Sequence, residues 1–252
     1  MSSKSSVAGK VILIAGGGKN LGGLLSRDFA AQGAKLAIHY NSDSSETEAL
    51  ETLSDVLAAG AEGFLFKGDL TQISNITKFF DQTIRKFGGI DIAINTVGKV
   101  LKKPFSETTE AEYDSMSDIN SKIAYFFMQE AGKKLNDGGK ICTIVTSLLA
   151  AYTGLYSTYA GMKAPVEHFT RSASKEFGAR GISVTAVAPG PMDTPFFYGQ
   201  ESDDAVAYHK SASALSGLTD IKDIAPLVEF LVTDGWWITG QTIFANGGYT
   251  TR

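Results

Sequence analysis

Short apolar runs rich in β-branched residues alternate with longer amphipathic stretches along nearly all of the 252 residues. This alternation constrains the fold more than any other feature of the chain. Val11–Ala15, Leu36–Tyr40, Gly63–Lys67, Ile90–Asn95, Ile141–Thr146, Ile182–Ala188 and Thr242–Ala245 read as strands. Helical patterning lies between them, at Leu21–Gln32, Ser45–Ala59, Ile73–Phe87, Glu110–Leu135, Ser157–Ala179 and Ile221–Val232, with Thr71 and Thr109 as capping residues. Near-continuously apolar strands separated by helices pair in parallel and are covered on both faces. The expected architecture is α/β, with about seven parallel strands and helices on both sides.

No low-complexity linker or internal repeat interrupts this pattern, so residues 1–252 read as a single domain. One segment departs from it. Gly190–Gly217 carries Pro191, Pro195, Phe196, Phe197, Tyr198 and Tyr208, and is too long for an ordinary connection. It reads as a substrate lid.

Composition narrows the function classes. A net charge of −4 leaves no electrostatic footprint for nucleic acid. No apolar run approaches the length of a membrane span, and the polar start Met1-Ser2-Ser3-Lys4-Ser5-Ser6 has no apolar stretch behind it. The one cysteine, Cys142, lies in an apolar run and suits a reducing compartment. A soluble cytoplasmic protein is expected. His39, His168 and His209 show no metal-ligand spacing and join no carboxylate cluster, so they read as structural and no catalytic metal is expected.

The first strand runs into Gly16-Gly17-Gly18-Lys19-Asn20-Leu21-Gly22-Gly23 and then a helix. Glycines let backbone approach a phosphate, and a helix N-terminus offers free N–H groups and a positive dipole end. The order strand, glycine turn, helix is the context a dinucleotide site requires and makes the sheet a doubly wound, Rossmann-type one. Asn20 stands where a glycine is usual, and Asn tolerates left-handed backbone. After the second strand come Tyr40, Asn41 and Ser42 in place of an acidic ribose ligand. With Lys19 in the turn, that set favours a 2′-phosphate, hence NADP(H) over NAD.

Tyr159 and Lys163 are four apart on a predicted helix and share a face. A nearby ammonium favours a phenolate and lowers the phenol pKa. Ser147 lies twelve positions before Tyr159, after an apolar run. A hydroxyl there can polarise a carbonyl while the phenol moves a proton.

Taken together these residues resemble the short-chain dehydrogenase/reductase family over nearly the whole chain. The family's glycine turn is similar to Gly16 to Gly22, its Asn-Asn-Ala-Gly to Asn95-Thr96-Val97-Gly98, and its helix asparagine to Asn120. Its serine resembles Ser147 and its Tyr-x-x-x-Lys resembles Tyr159 and Lys163. Its Pro-Gly turn resembles Pro189-Gly190-Pro191-Met192-Asp193-Thr194, and its last strand region Ile238-Thr239-Gly240-Gln241 and Asn246-Gly247-Gly248. The chain departs at Asn20, at Thr96-Val97, and in a Ser147-to-Tyr159 interval one residue shorter than the family's common one. Thr146 restores that interval and also carries a hydroxyl. Ser147 is preferred because a one-residue loop deletion is a small change.

The resemblance implies hydride transfer between NADPH and a ketone or aldehyde, with a secondary alcohol in reverse. Tyr159 is the implied proton donor, Lys163 stabilises the phenolate and binds ribose, Ser147 holds the carbonyl oxygen, and Asn120 holds a relay water. Gly16, Gly18, Lys19, Asn20, Leu21, Gly22, Tyr40, Asn41, Ser42, Asp69, Leu70, Asn95, Gly98, Pro189, Gly190, Met192 and Thr194 are the implied cofactor contacts. Leu149, Tyr152, Tyr156 and Pro191 should frame the substrate with Ser147 and Tyr159, and these walls suit a small apolar or aromatic carbonyl. The basic group Lys99, Lys102 and Lys103 reads as solvated, or as meeting an anionic or carrier-bound substrate. The alternatives are a 3-oxoacyl thioester (acyl-carrier-protein) reductase and a non-catalytic dinucleotide sensor. A homo-oligomer, tetramer or dimer, is implied through Glu110–Leu135 and Ser157–Ala179. Trp236 and Trp237 read equally as a subunit contact or as core.

Overall fold

The computed structural model describes residues 6–251. Residues 1–5, with most of the polar start, and residue 252 lie outside the described residues. Seven strands form one parallel sheet: β1 (Val11–Ala15), β2 (Lys35–Tyr40), β3 (Gly63–Lys67), β4 (Ile92–Asn95), β5 (Lys140–Ile144), β6 (Ser183–Pro189) and β7 (Gln241–Ala245). Their spatial order is β3-β2-β1-β4-β5-β6-β7. Nine helices are described: α1 (Asn20–Ala31), α2 (Glu46–Ala58), α3 (Ile73–Phe87), α4 (Glu110–Ser117), α5 (Ile123–Lys134), α6 (Ser157–Phe177), α7 (Pro195–Tyr198), α8 (Asp203–Ala212) and α9 (Ile221–Val232).

Side chains alternate across a strand, and β1 uses both directions. Val11, Leu13 and Ala15 enter the core beneath α3, α5 and α6, whereas Ile12 and Ile14 enter the one beneath α1, α2 and α9. Phe80 of α3 meets Phe127 of α5 edge to face, 5.3 Å between centroids. Burying each such ring stabilises the fold by roughly 1.5–3 kcal/mol. The chain walks outward from β1 to β3, then crosses back to place β4 on the other side of β1. Loops that leave the C-terminal ends of β1 and β4 therefore diverge, which opens the ligand crevice of a doubly wound sheet.

Four features differ from the sequence expectation. The stretch Glu110–Leu135 is not one helix. A π-helical turn at Asp118–Lys122 separates α4 from α5, and such turns accompany functional sites. The segment 190–217 is not plain loop but holds α7 and α8. Thr109 caps α4 through a capping box with Glu112, but Thr71 is not a cap; Gln72 precedes α3, and the Thr71 hydroxyl bonds Asp69. Trp236 and Trp237 are both exposed, which removes the core reading of that pair.

Candidate active site

The turn after β1 is built by close approach. A Cβ on Gly22 would stand 2.2 Å from the Gly16 carbonyl oxygen, so only glycine lets α1 pack on the turn. Asn20 has φ +49°, the left-handed conformation that its usual glycine would adopt without cost. His39, at the end of β2, ties this turn to the loop after β3. Its Nδ1 accepts from the Gly16 N–H at 3.0 Å, and its Nε2 lies 2.7 Å from the Gly68 oxygen. Those partners require a neutral ring with its hydrogen on Nε2. Burial agrees with this, holding the imidazole down at about 4. His39 is structural, as the sequence indicates, but what it holds is the phosphate turn.

A cavity of about 840 Å³ runs from this turn to the Tyr159 side chain. Gly16, Gly18, Lys19, Asn20, Leu21 and Gly22 line one part of it, with Tyr40, Asn41, Asp69 and Leu70 beside them. Gly98, Pro189, Gly190, Pro191, Met192, Thr194, Tyr156, Tyr159 and Lys163 line the other. The donor set fits a dinucleotide: a glycine turn at a helix start for the diphosphate, and hydroxyl and ammonium groups for the reacting end. Ser45, not Ser42, reaches the cavity beyond β2; the Ser42 hydroxyl bonds that of Ser44. Carboxylates do approach here, from α2, but each is already engaged. Tyr40 donates to Glu46 at 2.7 Å, and Lys19 pairs with Glu48 at 3.5 Å.

The hydroxyl beside the tyrosine belongs to Thr146. Its hydroxyl stands near enough to the Tyr159 phenol to pull that pKa down, lines the cavity and accepts from the Leu148 N–H at 3.2 Å. Ser147 is turned elsewhere. Its hydroxyl donates to the Ala188 oxygen at 3.0 Å and accepts from Asn246 Nδ2 at 2.9 Å. A serine has one hydrogen to give, so although both residues line the cavity, the hydroxyl hydrogen of Ser147 is committed to Ala188 while that of Thr146 is not. Thr146 has extended backbone, φ −156° and ψ 146°, so successive side chains diverge and only one of the two can face the phenol.

Lys163 is buried and donates to the Val97 oxygen at 3.0 Å and the Ile144 oxygen at 2.9 Å. Burial lowers its ammonium to about 8. Burial also pushes the Tyr159 phenol up, to about 12, against a smaller downward pull from the Thr146 hydroxyl. The phenol therefore stands above its ordinary value and not below it, because burial raises it by more than the Thr146 hydroxyl lowers it. The phenol is a held proton near neutrality, suited to donation.

Asn120 sits in the π-helical turn and does not line the cavity. Its Oδ1 accepts from the Lys99 N–H at 3.1 Å, and its Nδ2 donates to the Lys99 and Met116 oxygens. It remains close behind: a Cβ on Gly98 would stand 3.2 Å from Lys163 Nζ and 3.3 Å from Asn120 Oδ1. Asn95 is likewise buried behind the wall, with Oδ1 accepting from the Val97 N–H at 3.0 Å. Leu149 packs on the core instead of the cavity. Tyr152 is fully exposed and is no wall at all. Both lie after Ser147, where the chain turns outward through a short 3₁₀ turn.

The sequence marks segment 190–217 as a lid, with Phe196 and Phe197 in it, but gives no site role to Gln200, His209 or Tyr249. Phe196, Phe197, Gln200, His209 and Tyr249 line the cavity. His209 does join a carboxylate, Glu201, at 3.6 Å. Lys102 pairs with the same carboxylate and Lys103 with Glu112, so two of that basic trio are not free cations. Only the aromatic content of the segment signalled a wall. Among the described residues no helix is long and apolar enough to cross a membrane, and no group of three or more His, Cys, Asp or Glu is placed to hold a metal.

Residues 16–250 match the family model described as enoyl-(acyl carrier protein) reductase, of the short-chain alcohol dehydrogenase type. The chain belongs to the short-chain dehydrogenase/reductase family. Within it, the chain is 33% identical to the hydroxynaphthalene reductase-like protein Arp2 of Metarhizium brunneum (strain ARSEF 3297), covering 98% of this chain and 97% of that one. A crystal structure from Burkholderia cenocepacia with bound NADP superposes with a TM-score of 0.97 at 63% identity, over 100% of this chain and 97% of the other. A blue fluorescent protein from a metagenomic library, in complex with NADPH, gives 0.91 at 29% identity, over 98% and 100%. Membership makes the chain an oxidoreductase on a Rossmann-like seven-stranded parallel sheet.

Proposed function

We propose that this chain is an NADP(H)-dependent reductase of ketone or aldehyde carbonyls, running as a secondary-alcohol dehydrogenase in reverse. The observation that carries this reading is the placement of Tyr159, Lys163 and the Thr146 hydroxyl together on a cavity that begins at the glycine turn. When bound, the nicotinamide supplies the hydride. Tyr159 gives its proton to the carbonyl oxygen as negative charge develops there. Thr146 turns its hydroxyl hydrogen to the same oxygen and orients it. Lys163 stabilises the phenolate that Tyr159 leaves behind, while the Val97 and Ile144 carbonyls fix its position. Asn120 acts behind Lys163, holding the backbone of Lys99.

The choice of NADP(H) over NAD(H) rests on Lys19, Asn41 and Ser45 lining the β2 end of the cavity, where the segment that follows β2 contributes no carboxylate to the lining. The NADP and NADPH in the two similar structures support it. Phe196, Phe197 and Leu148 make the carbonyl's surroundings largely apolar, which suits a small apolar or aromatic substrate. A carrier-bound 3-oxoacyl thioester fits less well, because Lys102 and Lys103 are held in ion pairs. Exposed Tyr113 and Tyr125 on α4 and α5 suit a homo-oligomer, and the buried thiol of Cys142 suits the cytoplasm. Segment 190–217 acts as the lid of a single catalytic domain.

Initial rates with NADPH and NADH over a panel of ketones, aldehydes and an acetoacetyl thioester test the reading. Turnover of ketones with NADPH, and a loss of at least about 10²-fold in kcat for Tyr159→Phe with cofactor still bound, are expected. A Tyr159→Phe variant with full activity, or no turnover of any carbonyl, would reject it.

A further inference from the structure

Beside Tyr156, the cavity wall contains a chain of polar groups that proton transfer at Tyr159 leaves unused. Glu201, between α7 and α8, is buried, with its side chain 2% exposed. Its carboxylate pairs with Lys102 and accepts the Tyr156 hydroxyl. Nε2 of His209, on α8, lies 3.6 Å from the same carboxylate. Nδ1 of His209 lies 2.8 Å from the Tyr249 hydroxyl. Tyr156, His209 and Tyr249 all line the cavity. The segment carrying Tyr249 is itself anchored, since Asn246 donates to Ser147 and to the Thr250 hydroxyl, and the Tyr249 N–H donates to the Asn246 oxygen.

These contacts set the direction of each hydrogen. A carboxylate paired with a lysine only accepts. The negative charge of Glu201, 3.6 Å from Nε2, favours the neutral His209 tautomer with its one hydrogen on that nitrogen. Nδ1 is then an acceptor, and Tyr249 must donate to it. The Tyr249 oxygen keeps its lone pairs but has no hydrogen left for the cavity. Burial holds His209 below its ordinary range, so the neutral ring is the form present near pH 7. Phe196 and Phe197 stand on the same wall, so an acceptor among them discriminates between ligands that do and do not supply a donor.

We propose that Tyr249 is a specificity residue that recognises a hydroxyl, alcoholic or phenolic, on the substrate at a point away from the reacting carbonyl, with Glu201 and His209 as positioning residues that fix its polarity. The carbonyl half of that substrate rests on the reductase reading; the donor half does not.

Calorimetric titration in the presence of NADP⁺ tests it, using meta- and para-hydroxyacetophenone and their methyl ethers as probes. The wild type should bind one of the phenols about five- to 100-fold more tightly than its ether. Tyr249→Phe should cut that preference below about threefold and leave ether affinity unchanged, a comparison that cancels the bulk of the methyl group. Glu201→Gln frees the imidazole to reverse its tautomer and should also shrink the preference, an effect that mere loosening of the lid does not produce. If Glu201→Gln does not fold, Tyr249→Phe still decides. Equal affinities, no binding of either phenol, or a preference that survives Tyr249→Phe overturns the proposal. NADPH oxidation with unsubstituted acetophenone, run on the same preparations, tests the reductase reading separately. Selectivity without turnover faults that reading alone, and turnover without selectivity faults this proposal alone.

Discussion

Two adjacent hydroxyls, Thr146 and Ser147, should fail in different ways when removed. Thr146 lines the cavity beside Tyr159, so on the proposed mechanism Thr146→Val removes a hydrogen that turns to the developing alkoxide. Loss of one such donor costs roughly 10²–10³-fold in kcat. It also removes the hydroxyl that pulls the phenol down, so proton release becomes harder still. Thr146→Ser keeps the hydroxyl and should stay within a few-fold of wild type. Ser147→Ala should instead remove the Ser147 donor from the Ala188 oxygen and take one acceptor from Asn246. Two such hydrogen bonds together contribute about 1–3 kcal/mol. In a chain this long that lowers Tm by about 2–10 °C, with kcat for the surviving fold changed only a few-fold. Steady-state rates at saturating NADPH, read beside thermal melts of the same samples, separate the two. The reasoning is refuted by a Ser147→Ala variant that melts like wild type but has lost about 10²-fold in kcat, with Thr146→Val near full activity.

Lys163 carries the pH dependence. Its folded value, about 8, lies below the ordinary lysine value of 10.5, so a depressed group is involved. Its contribution to stability is present above pH 10.5 and is lost as pH falls through 8. Urea midpoints should therefore show wild type gaining about 2 kcal/mol on Lys163→Met between pH 7 and 9.5; parallel curves would count against a buried ammonium. In the opposite sense, kcat/KM for carbonyl reduction should fall above about pH 8, as the cation that stabilises the phenolate is titrated away, and a profile flat to pH 10 would exclude that role. His39 sits at about 4 against an ordinary 6.5, so its contribution is present above pH 6.5 and lost as pH falls toward 4. His39→Leu should weaken NADPH binding at neutral pH through a loosened Gly16 turn, and should lack the wild type's extra loss of stability between pH 6.5 and 4. Matching acid melts for the two proteins would dismiss the clamp.

Much of the fold was legible because periodicity reports burial directly. Val11–Ala15, Gly63–Lys67, Ile73–Phe87 and Ile221–Val232 have the boundaries their patterns indicate. β1 could be read because all five of its residues are buried, with alternate ones entering the two cores. The break at Asp118–Lys122 was not legible, because a π turn keeps helical composition and differs only in backbone bonding. Helices α7 and α8 are short, and their aromatic and polar residues carry no apolar face that would announce them. Within the site, Tyr159 and Lys163 were legible for a rigid reason, since one helix fixes four-residue neighbours on one side. Residues supplied by different loops lacked that constraint. Tyr152 is only four residues before Tyr156, yet one faces solvent and the other a buried carboxylate.

The Thr146 and Ser147 pair shows where such reading stops. Composition and order place two hydroxyls after β5, and spacing to Tyr159 distinguishes them by a single residue. Which one meets the phenol depends on the direction of the chain as it leaves the sheet, and that direction is set by distant residues. Asn246 and the Ala188 carbonyl capture Ser147 from the far side, and capturing one side chain of an extended pair turns the other toward the cavity. The same Asn246 anchors the segment that carries Tyr249. Ser147 therefore acts at one remove. On the proposed mechanism, it aims Thr146 at the proton to be moved by fixing its own orientation, and by holding Asn246 it keeps the opposite wall in register with that proton.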